Sequence, residues 1–181
     1  MSADYRVKGS SIRSKFEFVR DRFGEAAARA LKERFRQRGI LPVLDSKMYP
    51  FEDYDVVLRA IAEEFFDGDL SRLAEVGAYS AQQVLTGVYR AFAAGKDFPG
   101  FLSRAAVLHE RFYSHGGMDV DLEEDGKSCR IVLEGAPTYS ESDLYIAGGF
   151  YAGAADLLGI KSLDWDLSWD SSGARFQLRW V

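Results

Sequence analysis

Two stretches in the last third of the chain alternate apolar and polar residues with period two. In the first, Met118, Val120 and Leu122 alternate with Asp119, Asp121 and Glu123. A turn follows at Glu124-Asp125-Gly126-Lys127, and Cys129, Ile131 and Leu133 return on one face. In the second, Leu163, Trp165, Leu167 and Trp169 alternate with Asp164, Asp166 and Ser168. The chain turns at Asp170-Ser171-Ser172-Gly173, and Ala174, Phe176, Leu178 and Trp180 come back. Period two puts successive side chains on opposite faces of a strand, so each stretch predicts a hairpin with one apolar face to cover and one face left wet. Trp165, Trp169, Leu178 and Trp180 are expected on the covered side.

Between the hairpins the period changes. Leu144, Gly148, Tyr151, Ala155 and Leu158 fall on one line of a helix, with Tyr145, Gly149 and Gly153 on another. Pro137 and Ser140 are placed to open it, and Ser140 and Asp143 have the spacing of an N-cap and its reciprocal acid. Each interior glycine costs about 0.5–1 kcal/mol relative to alanine, so something must approach that surface closely, and tight packing on the sheet is the expected reason.

Helical spacing also organises the chain before Met118. Ile12, Phe16, Val19 and Phe23 form one stripe, ended by Gly24. Leu31 and Phe35 mark a second helix to about Arg38. Tyr54, Val57, Leu58, Ile61 and Phe65 mark a third, opened by Pro50. A fourth begins near Leu70 with Leu73, Gly77, Ala81 and Val84, and bends near Gly87 or Gly95. A fifth carries Phe101, Ala105, Leu108 and Phe112, with Leu102, Ala106, His109 and Tyr113 beside them, and ends at His115-Gly116-Gly117. The expected architecture is α+β and one domain over residues 1–181. Its helical part, 1–117, packs on a four-stranded antiparallel sheet made within 118–181 as hairpin, helix, hairpin.

A chain of 181 residues with 47% apolar and 28% charged residues is sized and composed for a folded core. No apolar run reaches the roughly 18–20 residues of a membrane span, and the start lacks the apolar centre of a secretory signal, so a cytoplasmic protein is expected. The single cysteine, Cys129, forms no intrachain disulfide and no cysteine-based zinc site. The net charge of −5 is uneven: residues 1–40 hold eleven Lys and Arg against five Asp and Glu, the rest twelve against twenty-three. A solvated helix face accounts for the basic run, with a docking surface for an acidic partner as the alternative. Nucleic acid is not expected as a partner.

The order of elements resembles a known superfamily. A Val7-Lys8-Gly9-Ser10 start, several helices, a helix ending Leu108-His109-Glu110-Arg111-Phe112 and two hairpins flanking a helix look like the group of heme nitric-oxide-binding domains, vinyl-reductase-like small-molecule domains and related trafficking-complex subunits. Val7-Lys8-Gly9-Ser10, Tyr49-Pro50 and Arg175-Phe176-Gln177-Leu178-Arg179-Trp180 resemble in particular a paralogous family of uncharacterised myxobacterial proteins. In the heme members the resemblance implies a histidine ligand near His109 and a Tyr-x-Ser-x-Arg clamp for the heme propionates. Here that stretch reads Tyr139-Ser140-Glu141-Ser142-Asp143, with an acid in place of the arginine. Carboxylates facing carboxylates repel, so on this reading no cofactor is expected and heme is disfavoured.

No catalytic signature accompanies the two histidines, His109 and His115, and the carboxylates on the strands are expected to pair with Arg130, Arg175 and Arg179. The leading expectation is therefore a non-enzymatic binding or regulatory module without heme. It holds a small apolar or planar ligand between helices and sheet, around Phe101, Ala105, His109, Phe112, Tyr113, Tyr145, Gly148, Gly149 and Tyr151. The alternatives are a homodimeric or partner-binding scaffold, with Tyr89, Phe92 and Phe98 as the patch to watch, and a heme-based gas sensor using His109.

Overall fold

In the computed structural model, which describes residues 5–135 and 139–181, helices fill the first two thirds and a helix between two hairpins fills the rest. Pro137, placed above at a helix start, lies outside the described residues. The helices are α1 (Gly9–Phe23), α2 (Glu25–Gln37), α3 (Phe51–Phe65), α4 (Leu73–Thr86), α5 (Phe98–Leu102), α6 (Ala105–His109) and α7 (Glu141–Leu157). The strands are β1 (Arg6–Lys8), β2 (Met48–Pro50), β3 (Gly117–Leu122), β4 (Ser128–Glu134), β5 (Leu163–Asp170) and β6 (Gly173–Trp180).

The four long strands form one antiparallel sheet in the order β3-β4-β6-β5. Their registers, Val120 opposite Ile131, Ile131 opposite Phe176 and Phe176 opposite Leu167, stack the apolar alternation of every strand on one face. Cys129, Ile131, Phe176 and Leu178 are fully buried there. On the wet face Arg130 pairs with Asp121 at 2.5 Å and Arg179 with Asp166 at 2.9 Å. Trp180 is buried and meets Phe98 edge-on at 5.1 Å. Trp169 departs from the expected cover: it is 48% exposed. It stands at the turn end of β5, an edge strand, opposite only Ala174.

α7 lies between the sheet and α4, and its glycines explain how it fits. A Cβ on Gly148 would come within 2.6 Å of the Trp165 ring, which is the expected contact with the sheet. Gly149 and Gly153 instead face α4: a Cβ on either would fall 2.0 Å from the Ala74 carbonyl oxygen or 2.6 Å from that of Ala78. Gly77 of α4 reciprocates, 2.1 Å from the Ile146 carbonyl by the same measure. Two of the three glycines thus serve a helix-on-helix seam.

Two apolar clusters result. The first joins α1, α2, α3 and the start of α4 around Phe16, Phe35, Tyr54, Leu58 and Phe66. The second joins α5, α6, the sheet and the later part of α7 around Phe101, Leu108, Ile131, Tyr151 and Phe176. The expected fifth helix is broken in two between Leu102 and Ala105. The short β1–β2 ribbon, Val7 opposite Tyr49, lies below the length at which alternation can be read. Phe98 is fully buried, and Tyr89 and Phe92 pack partly against the second cluster, so the three share no exposed patch. On α1 and α2, Arg13 bridges Glu17 and Asp45, and Arg34 reaches Glu64. Among the described residues no helix is long and apolar enough to cross a membrane.

Candidate functional site

The two clusters do not close completely on each other. Between them lies a cavity of about 410 Å³, inside the range of small-molecule and cofactor sites. α6 and the turn after it supply Leu108, His109, Phe112 and Tyr113. α7 supplies Ile146, Ala147, Phe150 and Tyr151. α1 and α4 supply Ser14, Lys15, Ser80 and Val84, and Tyr54, Phe101, Ala105 and Met118 complete much of the wall. Of the residues singled out in the sequence, Phe101, Ala105, His109, Phe112, Tyr113 and Tyr151 line this space. Tyr145, Gly148 and Gly149 do not: Tyr145 and Gly148 meet Trp165, and Gly149 meets α4.

His109 is the chemically distinctive group on the apolar part of the wall. Its ring stacks on Tyr113, with centroids 4.7 Å apart and planes 16° from parallel. Burial pushes its pKa down to about 4, opposed by a hydrogen bond with the His115 main chain, so the imidazole is neutral at pH 7. The Tyr139 hydroxyl meets Nε2 at 3.0 Å. The ring is thus held from two sides, by the Tyr139 hydroxyl at Nε2 and by the His115 main chain. A second-sphere bond of this kind orients a histidine for a metal. Gly116 makes the arrangement possible: its φ is +74°, and a Cβ there would overlap the Tyr139 hydroxyl.

A polar group beside His109 was not read from the sequence. Asp143 accepts a 2.8 Å hydrogen bond from the Tyr113 hydroxyl and a further one from Tyr54. Burial raises its pKa to about 6 against these bonds and the attraction of Lys15. Lys15 is 2% exposed, and burial lowers its pKa to about 8. It donates to the Ser80 hydroxyl at 2.8 Å. The signal was present: Lys15 falls three residues after Ile12 and four before Val19, inside the apolar stripe of α1. Asp143 was expected as the partner of Ser140. The Ser140 hydroxyl does accept from the Asp143 amide at 3.2 Å, but the carboxylate turns inward to the tyrosines.

The chain matches no protein-family model and no curated protein sequence. Its fold does match solved structures over nearly its whole length. The Fe(II) unliganded H-NOX protein of K. algicida superposes with a TM-score of 0.74, at 13% identity and over 96% of each chain. A variant H-NOX protein of S. oneidensis in the Fe(II) state gives 0.76 at 10% identity over 96% of each chain. A point variant of T. tengcongensis H-NOX gives 0.74 at 11% identity, over 96% of this chain and 97% of that one. Related structures of this set are described through heme redox potential and heme distortion in the H-NOX family. The fold is thus the heme nitric-oxide-binding fold.

These matches correct two expectations. The leading reading, a ligand module or scaffold without heme, is not the one the solved relatives of this fold support, and neither is the expectation of no cofactor. The repulsion expected at the clamp stretch is softened by the surroundings of its acids: Asp143 is held by tyrosine hydroxyls and attracted by Lys15, and Glu141 is exposed. The residues present fit a heme: the cavity wall is largely apolar, it carries a neutral imidazole, and its lysine and arginine are Lys15 and Arg13.

Proposed function

We propose that this chain is a non-enzymatic, heme-based gas sensor in which His109 would hold the heme iron. One observation carries the reading: a buried histidine, its ring held by Tyr113 and Tyr139, stands on the wall of a 410 Å³ largely apolar cavity in a fold shared with H-NOX proteins. A heme held there would supply an iron able to bind a diatomic gas.

The protein's part is positioning and shielding. Leu108, Phe112, Ile146 and Phe150 form an apolar wall that would keep water from a bound heme, and Tyr113 holds the imidazole plane by stacking. Nε2 becomes available when the Tyr139 hydroxyl leaves it, which costs one hydrogen bond, about 1 kcal/mol. His109 closes α6, which is followed by β3, so a shift of the ring is passed toward the sheet.

Titrating the ligand-free protein with hemin tests this. A Soret band that saturates at one equivalent, and that shifts when carbon monoxide is added to the reduced protein, is expected. Free-hemin absorbance at every ratio would overturn it.

A further inference from the structure

Lys15 makes no ion pair: its electrostatic partner, Asp143, attracts it from beyond ion-pair distance. Its ammonium donates to Ser80 at 2.8 Å and to Ser14 at 3.4 Å, and stands 5.7 Å from the Tyr54 ring centroid. Among the described residues no carboxylate comes within the 4 Å of an ion pair, and Asp143 acts on it only from farther away. Two serine hydroxyls and a ring face are a thin substitute for water around a fully buried cation, because an uncompensated buried charge is strongly unfavourable. The same side chain lines the cavity that holds His109. The other cation on that wall, Arg13, is half-exposed and already pairs with Glu17 and Asp45.

We infer that Lys15, with Ser14 and Ser80, is an anion-receiving corner of the cavity, and that its ammonium pairs with a negatively charged group of whatever fills that space. The inference rests on the heme reading. Two sources of the charge share this chemistry. One is a carboxylate of the porphyrin edge, which here lacks the arginine of the Tyr-x-Ser-x-Arg pattern. The other is a small anion on the open position of the ferric iron.

The test compares wild type with Lys15→Met, a change that keeps length and removes charge. Both proteins, ligand-free, are titrated with hemin and with hemin dimethyl ester, and the ferric complexes are then titrated with azide and with neutral imidazole. A charge-assisted bond lost in the variant corresponds to about a 10- to 100-fold weakening. Weaker hemin binding with unchanged ester binding assigns the corner to the porphyrin carboxylates. Unchanged hemin binding with weaker azide and unchanged imidazole binding assigns it to an anion on the iron. Hemin, ester and azide all bound within twofold of wild type overturn the inference while leaving the heme reading intact. No Soret band in wild type overturns both. The ligand-free variant is expected to melt above wild type, and a fall of several degrees would also count against an uncompensated charge. Should Lys15→Met fail to fold, Ser80→Ala, which removes the hydroxyl that positions the ammonium, carries the same comparison at a smaller size.

Discussion

Gly149→Ala sets two effects of opposite sign against each other in the seam between α4 and α7. In a helix interior alanine is favoured over glycine by about 0.5–1 kcal/mol, so propensity alone predicts a gain. The new Cβ, however, would stand 2.0 Å from the Ala74 carbonyl oxygen and 2.6 Å from its Cα, where ordinary contact begins at 3.4 Å. Both atoms belong to helix backbone, which has no rotamer to change. The helices must part by about an ångström, and Gly77 and Gly153 hold approaches of 2.1 and 2.6 Å on the same seam. Overpacking of this kind costs about 1–3 kcal/mol and occasionally more. With three close contacts disturbed together the cost falls in the upper part of that range, and a net loss of about 1–2.5 kcal/mol follows after the propensity gain. For a chain of this length that is a fall in Tm of roughly 2–10 °C. Urea unfolding followed by circular dichroism measures it, with Ala152→Gly, expected to lose about 0.5–1 kcal/mol, as the control for propensity. A Gly149→Ala protein as stable as wild type would refute the close approach of α4 and α7. Because α7 also carries Ile146 and Phe150 into the cavity, the same variant should bind hemin more weakly.

Further outcomes follow from single contacts. Tyr139→Phe removes the hydroxyl from His109 Nε2 and should tighten hemin binding about fivefold, the equivalent of one neutral hydrogen bond; unchanged affinity would mean that Tyr139 does not compete for that nitrogen. Phe176→Ala, at a fully buried site, should cost about 3–5 kcal/mol, while Trp169→Ala, half exposed at the hairpin tip, should cost under about 1 kcal/mol; equal losses in urea unfolding would contradict the assignment of faces. Lys15 has its pKa lowered from 10.5 to about 8 on folding, so the unfolded chain binds the extra proton between those values and Lys15's contribution to stability rises with pH across that window. The difference in unfolding free energy between wild type and Lys15→Met should therefore move in favour of wild type by about 2–3 kcal/mol from pH 8 to pH 10.5; a flat difference would show that the ammonium is not buried in solution.

The hairpins were legible because period two survives wherever one sheet face is buried, and β4 and β6 keep it residue by residue. The α7 glycines announced a close neighbour, but sequence could not say whether it was sheet or helix, since a Cβ is refused alike by Trp165 and by the Ala74 main chain. The break between α5 and α6 carries no proline or glycine after Gly100, only Ser103 and Arg104, and apolar spacing ran across it. Of the nine residues singled out around His109, six line one cavity, while Tyr145, Gly148 and Gly149 face Trp165 or α4. Lys15 was missed because a lone charge in an apolar stripe reads as a helix exterior, and the role of Asp143 was misjudged because its tyrosine partners come from residues 54 and 113. Long-range polar pairs of this kind leave no spacing in the chain.

The account turns on whether His109 Nε2 is the group that would hold the iron. His109→Gly opens a hole of imidazole size on the cavity wall without touching the apolar faces. The purified variant, mixed with hemin, reduced with dithionite and then titrated with free imidazole, is predicted to lack the ferrous spectrum of an imidazole-ligated heme until imidazole is added, and to gain it in a saturable manner. A wild-type spectrum in the variant without imidazole would contradict the assignment of His109.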